Sequence, residues 1–503
     1  MSTRVEHRQG YEQETVSRNH HATVLAVVLL AASWGAIAGW VTPRGPLTTG
    51  SAIASILISA AVGGLAGFVL RSRWAMLLVP VVFVAVYEVV RIGVSGPSVD
   101  AVHLSSYGAI ALLTGRGFQG LLTLLPLAFG AAIGAALARH RVGTTGNRWG
   151  RVAGTLGLVV VGAGMLVLIA ALLRPAATDP ITGPDGQAVA GSVAELTSID
   201  NGGAELRMLI RGSRSDAPVL LFLAGGPGGS EFGAMRRHLS ALEQHFVVVT
   251  WDQRGSGTSY NQLDPIDSVS LDGYVADTIA VTNYLRDRFA QESIYLLGQS
   301  WGSTLGVLAV QQQPQLYRAF IGVGQMVSQL ATDRIFYEDT LQWAQTSGND
   351  GLVKQLQASG PPPYEQMLDY ESALSHEQDV YPYDHTGNSE GSGGMSENLL
   401  VEEYSLIDQV HVLNAFMDTF AALYPQVQSI DFRESATEFE VPVFFVQGAH
   451  EADGRAIPFE QWYPMVKAPV KDLTVLSTSG HRPLWEQPDE FVQYMVTTVL
   501  ARS

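Results

Sequence analysis

The stretch "IYLLGQSWGSTLG", residues 294–306, sets a serine two residues from a glycine on either side, directly after an apolar run. The run Ile294–Leu297 reads as a short buried strand, and Trp301 onward reads as the start of a helix. Gly298, Ser300 and Gly302 then form the Gly-x-Ser-x-Gly pattern of a sharp strand-to-helix turn. Such a turn brings backbone too close for a Cβ, hence the glycines, and it lifts the serine hydroxyl to the N-terminus of the helix. Five residues of this kind recur by chance, so the meaning of Ser300 depends on its surroundings.

Those surroundings alternate strand and helix. "PVLLFLA" (218–224), "FVVVTW" (246–251), "AFIGVG" (319–324), "PVFFVQG" (442–448) and "LTVLST" (473–478) repeat the short apolar, β-branched character of 293–298. Helical stretches such as 271–289 and 303–313 separate several of them. This rhythm predicts an α/β fold, a mostly parallel sheet covered on both faces. It breaks between 326 and 435, which lacks strand runs, reads as helical and includes the flexible-looking "HTGNSEGSGGMSEN" (385–398). An insertion of this length between two strands is expected to cap the site. The core is accordingly expected over 193–325 and 436–503.

A serine hydroxyl needs a base, and the base needs an orienting acid. His481 stands in "TSGHRPLWEQPDEF", just beyond the last strand run, and is the expected base. For the acid, "AHEADGR" after strand 442–448 offers Glu451, three residues past Gly448, with Asp453 in reserve. His450 beside them is expected to be structural. The loop "GGPGG" (225–229) lets backbone N–H groups face a developing negative charge. The two donors are expected to be the N–H groups of Trp301 and Gly226. No His, Asp or Glu spacing suggests a metal site, and no cofactor is expected.

"GGPGG", "WDQRGSGTS" (251–259), "GQSWGS" (298–303) and "SGHRP" (479–483), in this order and spacing, resemble the α/β-hydrolase peptidases of the proline iminopeptidase family. The resemblance covers roughly 195–325 and 436–503. It implies a serine exopeptidase that removes an N-terminal residue, often proline, beneath a helical cap whose acidic side chains hold the free amino group of the substrate. Glu397, Glu402 and Glu403 in "SENLLVEEYS" are candidates for that role, and solvated helix-face glutamates are the alternative. Two positions depart from the family: Ala224 stands where His usually precedes Gly-Gly-Pro-Gly, and Glu451 stands where Asp is normal. The first 174 residues are foreign to it.

Those residues are of another kind. The chain has 503 residues, no cysteine and a net charge of -17. Before residue 175 there are 13 Arg and Lys against 5 Asp and Glu; after it, 17 against 42, so the balances are +8 and -25. Segments 23–41 ("TVLAVVLLAASWGAIAGWV"), 51–70, 74–94, about 118–138 and 153–173 are mostly apolar. Each is long enough to cross the roughly 30 Å of bilayer hydrocarbon at about 1.5 Å per residue. An all-α domain of about five membrane helices is therefore expected over 23–173, after a tail at 1–22 and before a linker at 174–192. Gly115-Arg116-Gly117 interrupts the fourth segment. The tail and alternate loops hold nine arginines against four in the others, which puts the N-terminus in the cytoplasm and, with five spans, the hydrolase portion outside. Gly63/Gly67 and Gly130/Gly134 have the spacing of close helix contact, and Glu88 and Arg91 sit one turn apart.

The expected protein is a membrane-anchored serine hydrolase, an aminopeptidase acting on short peptides. An esterase or lipase with the same serine, histidine and acid, taking a small acyl substrate, is the first alternative. A membrane sensor whose hydrolase domain binds without turnover is the second. The lipid bilayer is the expected partner. The acidic remainder carries no basic patch for nucleic acid, and the oligomeric state stays open.

Overall fold

A computed structural model describes residues 2–142, 148–383 and 397–503. The chain divides into two compact units, 1–104 with 109–174, and 105–108 with 175–503.

The first unit is helical: α1 (Ser2–Val41), α2 (Thr49–Leu70), α3 (Ala75–Val90), α4 (Ser106–Leu112), α5 (Phe118–Val142) and α6 (Arg148–Leu172). Helices occupy all five apolar segments. Four runs are long and apolar enough to cross a membrane: His21–Val41, Thr49–Leu70, Ser106–His140 and Val152–Leu172. At 16 residues α3 is shorter. Gly115-Arg116-Gly117 does not break its helix: Leu113–Gly117 is a π-helical turn through which α4 continues into α5. Such a turn absorbs an irregular stretch while keeping backbone groups bonded, a requirement in hydrocarbon.

The paired glycines bring α2 and α5 into backbone contact. A Cβ on Gly63 would lie 2.0 Å from the Leu127 carbonyl oxygen, and one on Gly130 would lie 2.1 Å from that of Ala60. Glu88 and Arg91 pair at 2.7 Å, and Arg116 reaches the same carboxylate at 3.2 Å.

In the second unit, eight strands form one sheet of order β1-β2-β4-β3-β5-β6-β7-β8. The strands are β1 (Val193–Asn201), β2 (Ala204–Gly212), β3 (Val219–Leu223), β4 (Val247–Asp252), β5 (Ile294–Gln299), β6 (Tyr317–Val323), β7 (Val443–Gly448) and β8 (Lys471–Leu476). From β4 to β8 all neighbours are parallel. Every residue of β3, β4, β5 and β7 is buried, as the continuous apolar runs require of strands covered on both faces. Phe222, Leu297, Ile321 and Trp485 share the core on one face.

The β1–β2 hairpin was not among the expected strands. It turns at Gly202-Gly203, both with positive φ, and pairs antiparallel at the sheet edge. Charged residues interrupt the apolar ones, Glu195 and Asp200 in β1 and Glu205 and Arg207 in β2, so neither strand opens as a continuous apolar run.

Helices α7 (Phe232–His238), α8 (Leu271–Arg288) and α9 (Trp301–Gln312) belong to the core. Between β6 and β7 the described residues are helical, without strands: α10 (Gln329–Ser347), α11 (Asp350–Ser359), α12 (Met367–Leu374), α13 (Glu377–Val380) and α14 (Leu406–Val427). Most of the expected flexible stretch, 385–398, lies outside the described residues.

Buried polar bonds fix this insertion. Tyr424 of α14 donates to Asp333 of α10 at 2.5 Å, and Tyr260 of the core donates to Asp418 of α14 at 2.6 Å. The segment 174–192 is not a loose tether. Ala177 N–H donates to the Glu402 carbonyl, and Arg211 holds the Thr178 hydroxyl and Asp179 carbonyl.

Candidate active site

Strand β5 delivers Ser300 to the turn that the glycines allow. Its backbone sits at φ 54°, ψ -122°, a conformation non-glycine residues rarely adopt. A Cβ on Gly302 would lie 2.0 Å from the Leu223 carbonyl oxygen, so α9 packs against the end of β3 only with glycine there. The Ser300 N–H donates to the Val323 carbonyl at 3.0 Å and anchors the turn to β6.

The loops after β7 and β8 bring the partners. His481 Nε2 lies 2.8 Å from Ser300 Oγ, and Nδ1 lies 2.7 Å from Glu451 Oε2. With the proton on Nδ1, the ring donates to Glu451 and leaves Nε2 to accept the serine hydroxyl. Such a chain can take the proton from a hydroxyl as it attacks and return it to a leaving group. Asp453, the reserve acid, is exposed and opens the helix α15 (Asp453–Trp462). It is Glu451 that the fold sets against His481. His450 stacks on Tyr383 with centroids 5.3 Å apart.

The other oxygen of Glu451 is also engaged. Its Oε1 accepts from Ala452 N–H at 3.0 Å and from Arg455 Nε at 2.7 Å. Burial alone would push this carboxyl up, but the Arg455 guanidinium and His481 outweigh it and hold the pKa at about 2. Arg455 also pairs with Glu377 of the helical insertion. A continuous polar chain thus runs Ser300–His481–Glu451–Arg455–Glu377. Sequence reading missed Arg455 and Glu377. The only local signal was the i,i+4 spacing of Glu451 and Arg455 on a helix start, and nothing local links either to residue 377.

Ser300 and His481 open onto a cavity of about 320 Å³. Helices of the insertion supply an apolar wall that includes Leu374, Val412, Phe416 and Phe420, while Glu377 and Glu231 are carboxylates at its surface. Glu231 is paired with Arg482 at 2.9 Å. The glycine loop forms another side, with Gly225, Gly226 and Gly229.

The three cap glutamates read from sequence do not line this cavity. Glu397 lies 2.9 Å from His238 Nε2 and 3.6 Å from Arg237, and Glu403 meets Arg236 at 3.3 Å and the Thr178 hydroxyl at 2.9 Å. Glu402 is exposed. These contacts tie the end of the insertion to α7 and to the 174–192 segment. The identification from sequence went astray because a pairing between distant segments leaves no local pattern. Among the described residues no group of three or more His, Asp or Glu side chains could hold a metal ion.

Residues 218–347 match the family model for the alpha/beta hydrolase fold. The chain is 28% identical over 303 residues to the probable aminopeptidase YbaC of Bacillus subtilis, covering 60% of this chain and 94% of that one. It is 27% identical over 176 residues to a proline iminopeptidase of Lactobacillus delbrueckii subsp. bulgaricus, spanning 34% of this chain and 56% of that relative. Among solved structures, the proline iminopeptidase of Mycobacterium smegmatis aligns with a TM-score of 0.44 at 18% identity, over 61% of this chain and 100% of that one. The family match over 218–347 and the eight-stranded, mostly parallel sheet agree: from Val193 onward the chain has the alpha/beta hydrolase fold.

Proposed function

We propose that the protein is a membrane-anchored serine aminopeptidase that releases N-terminal residues from short peptides. The observation that carries this reading is the bonded chain from Ser300 Oγ through His481 to Glu451, at 2.8 and 2.7 Å, opening onto an apolar cavity edged by carboxylates. In this reading Ser300 attacks the scissile carbonyl as His481 takes its proton. The N–H groups of Trp301 and Gly226 receive the oxyanion. His481 then protonates the departing amine, and water releases the acyl group from Ser300 by the same steps in reverse order. Aminopeptidase names among the relatives support the choice of amide over ester.

The free amino group of the substrate needs a carboxylate in the cavity. Glu377 takes that role here in place of Glu397, Glu402 and Glu403, since it lines the cavity and they do not. An ammonium group would gain a charge-assisted bond at this carboxylate. The apolar wall of Phe416, Phe420 and Leu374 would hold the side chain or proline ring of the N-terminal residue. The same wall suits the acyl group of an ester, which keeps an esterase as the second reading.

The test uses the full chain and its Ser300→Ala variant. Prolyl and other aminoacyl arylamides should be cleaved, their N-blocked forms spared, and the variant inert. Turnover of short-chain aryl esters alone would overturn the peptidase assignment. The four long apolar helices support membrane anchoring, and with the shorter α3 as a fifth span the arginine distribution supports a hydrolase portion outside the cytoplasm.

A further inference from the structure

We propose that Gln253, a residue that does not line the cavity, is a positioning residue that holds both halves of the oxyanion-binding site in register. This rests on the assignment of Trp301 and Gly226 as the donors. Gln253 follows directly on β4 and is 1% exposed. Its Nε2 donates to the Ala224 carbonyl at 3.2 Å, and its Oε1 accepts from Trp301 Nε1 at 2.9 Å. One amide therefore bonds to the residue at the head of the glycine loop and to the residue that follows Ser300.

The consequence for the donors follows from peptide planarity. The Ala224 carbonyl shares a plane with Gly225 N–H. Gln253 fixes one edge of that plane, and Glu231 Oε2 faces the Gly225 N–H at 3.4 Å on the other. In the next plane the Gly225 carbonyl accepts from Gly229 N–H at 3.1 Å. Its opposite edge, the Gly226 N–H, is thereby turned away from the loop interior. The loop is close to the nucleophile, since a Cβ on Gly225 would lie 3.5 Å from the Ser300 Cβ. Trp301 opens α9, so its N–H has no carbonyl one turn earlier within the helix.

Two donors on separate elements stabilise an oxyanion only when both lie about 2.7–3.1 Å from it. A displacement of about 1 Å can cost roughly a hundredfold in rate. Gln253 sets their separation, and Glu231 braces the loop where Ala224 offers no side chain beyond a methyl. The sequence position of Gln253, inside "WDQRGSGTS", carried no such role until the fold placed it between β3 and α9.

The experiment compares the full chain with Gln253→Met, which keeps length and removes both bonds. A second variant, Trp301→Phe, removes one bond and keeps the backbone donor. For Gln253→Met, kcat should fall about 10- to 100-fold on arylamide and ester substrates alike, with KM within about twofold. Affinity for an aminoacyl boronic acid, which forms a tetrahedral adduct on serine, should fall by the same factor as kcat/KM. Trp301→Phe should lose several-fold in kcat, and the double variant should be no worse than Gln253→Met alone, because the two share a bond. If Gln253→Met does not fold, the Trp301→Phe result decides.

Unchanged kcat, or a loss confined to KM with boronic acid affinity intact, overturns the proposal while leaving the aminopeptidase reading in place. A parent chain inert towards every substrate overturns both.

Discussion

Glu451 stands where one methylene of extra reach must be controlled, and Arg455 and the Ala452 N–H control it by binding the oxygen that His481 does not use. Replacing Glu451 with Gln keeps the shape and removes the charge that orients and stabilises the imidazolium. A loss of about 10³- to 10⁴-fold in kcat is expected, read on the aminoacyl arylamide that the parent cleaves. Arg455→Met tests the support itself. Without the guanidinium the Glu451 carboxyl, now held at about 2, rises towards its ordinary value near 4.5. A 13C NMR titration of the Glu451 carboxyl should therefore show its midpoint at higher pH in the variant, and an unmoved midpoint would deny Arg455 this role. The stability linkage has a definite sign. A carboxyl depressed by folding contributes stability that is complete above about pH 4.5 and is lost as pH falls towards 2.

At the scale of elements, two contacts decide how helices sit. In the helical unit the Gly63/Gly67 and Gly130/Gly134 pairs let α2 and α5 meet backbone to backbone. Gly130→Val would drive a side chain into the Ala60 carbonyl, so α2 and α5 must separate. A lower unfolding temperature in detergent is expected, with little change for Gly154→Val, where a Cβ meets nothing within 4 Å.

In the helical insertion, Asp333 is buried between α10 and α14, and burial raises its carboxyl to about 7 despite the bonds from Tyr424 and Gln329. A group whose folded pKa is raised contributes stability below its unfolded value near 3.8 and loses it as pH rises through 7. Asp333→Asn should flatten the melting temperature between pH 5 and 8, where the parent declines.

Elements were legible where one local pattern dominates. The buried parallel strands and the serine turn could be read because apolar runs and glycines record their own constraints. The β1–β2 hairpin was missed because its apolar residues alternate with charged ones, Ala204, Leu206 and Met208 against Glu205 and Arg207, and so form no continuous apolar run at the start of β2. Ser300, His481 and Glu451 stood in recognisable positions after strand ends. Gln253 and Glu377 did not, since each acquires its role from a partner many residues away, and Arg455 had only its i,i+4 spacing to Glu451.

The whole molecule joins a basic, apolar helical unit to an acidic hydrolase unit. Charge asymmetry of this kind orients membrane helices through their loops. The absence of cysteine makes the orientation testable without background. Single cysteines placed at Ser72 and at Ser198 should differ in intact cells: the second should react with a membrane-impermeant maleimide, the first only after permeabilisation. The opposite pattern would put the hydrolase unit in the cytoplasm and remove short extracellular peptides as substrates.

The central claim is that Ser300 is a nucleophile activated by His481 and Glu451. The most direct test treats the full chain with a fluorophosphonate probe and maps the modified peptide by mass spectrometry. The account predicts one adduct, on Ser300, formed at least a hundredfold more slowly in Glu451→Gln. No adduct on a folded chain, or an adduct on another serine, would contradict it.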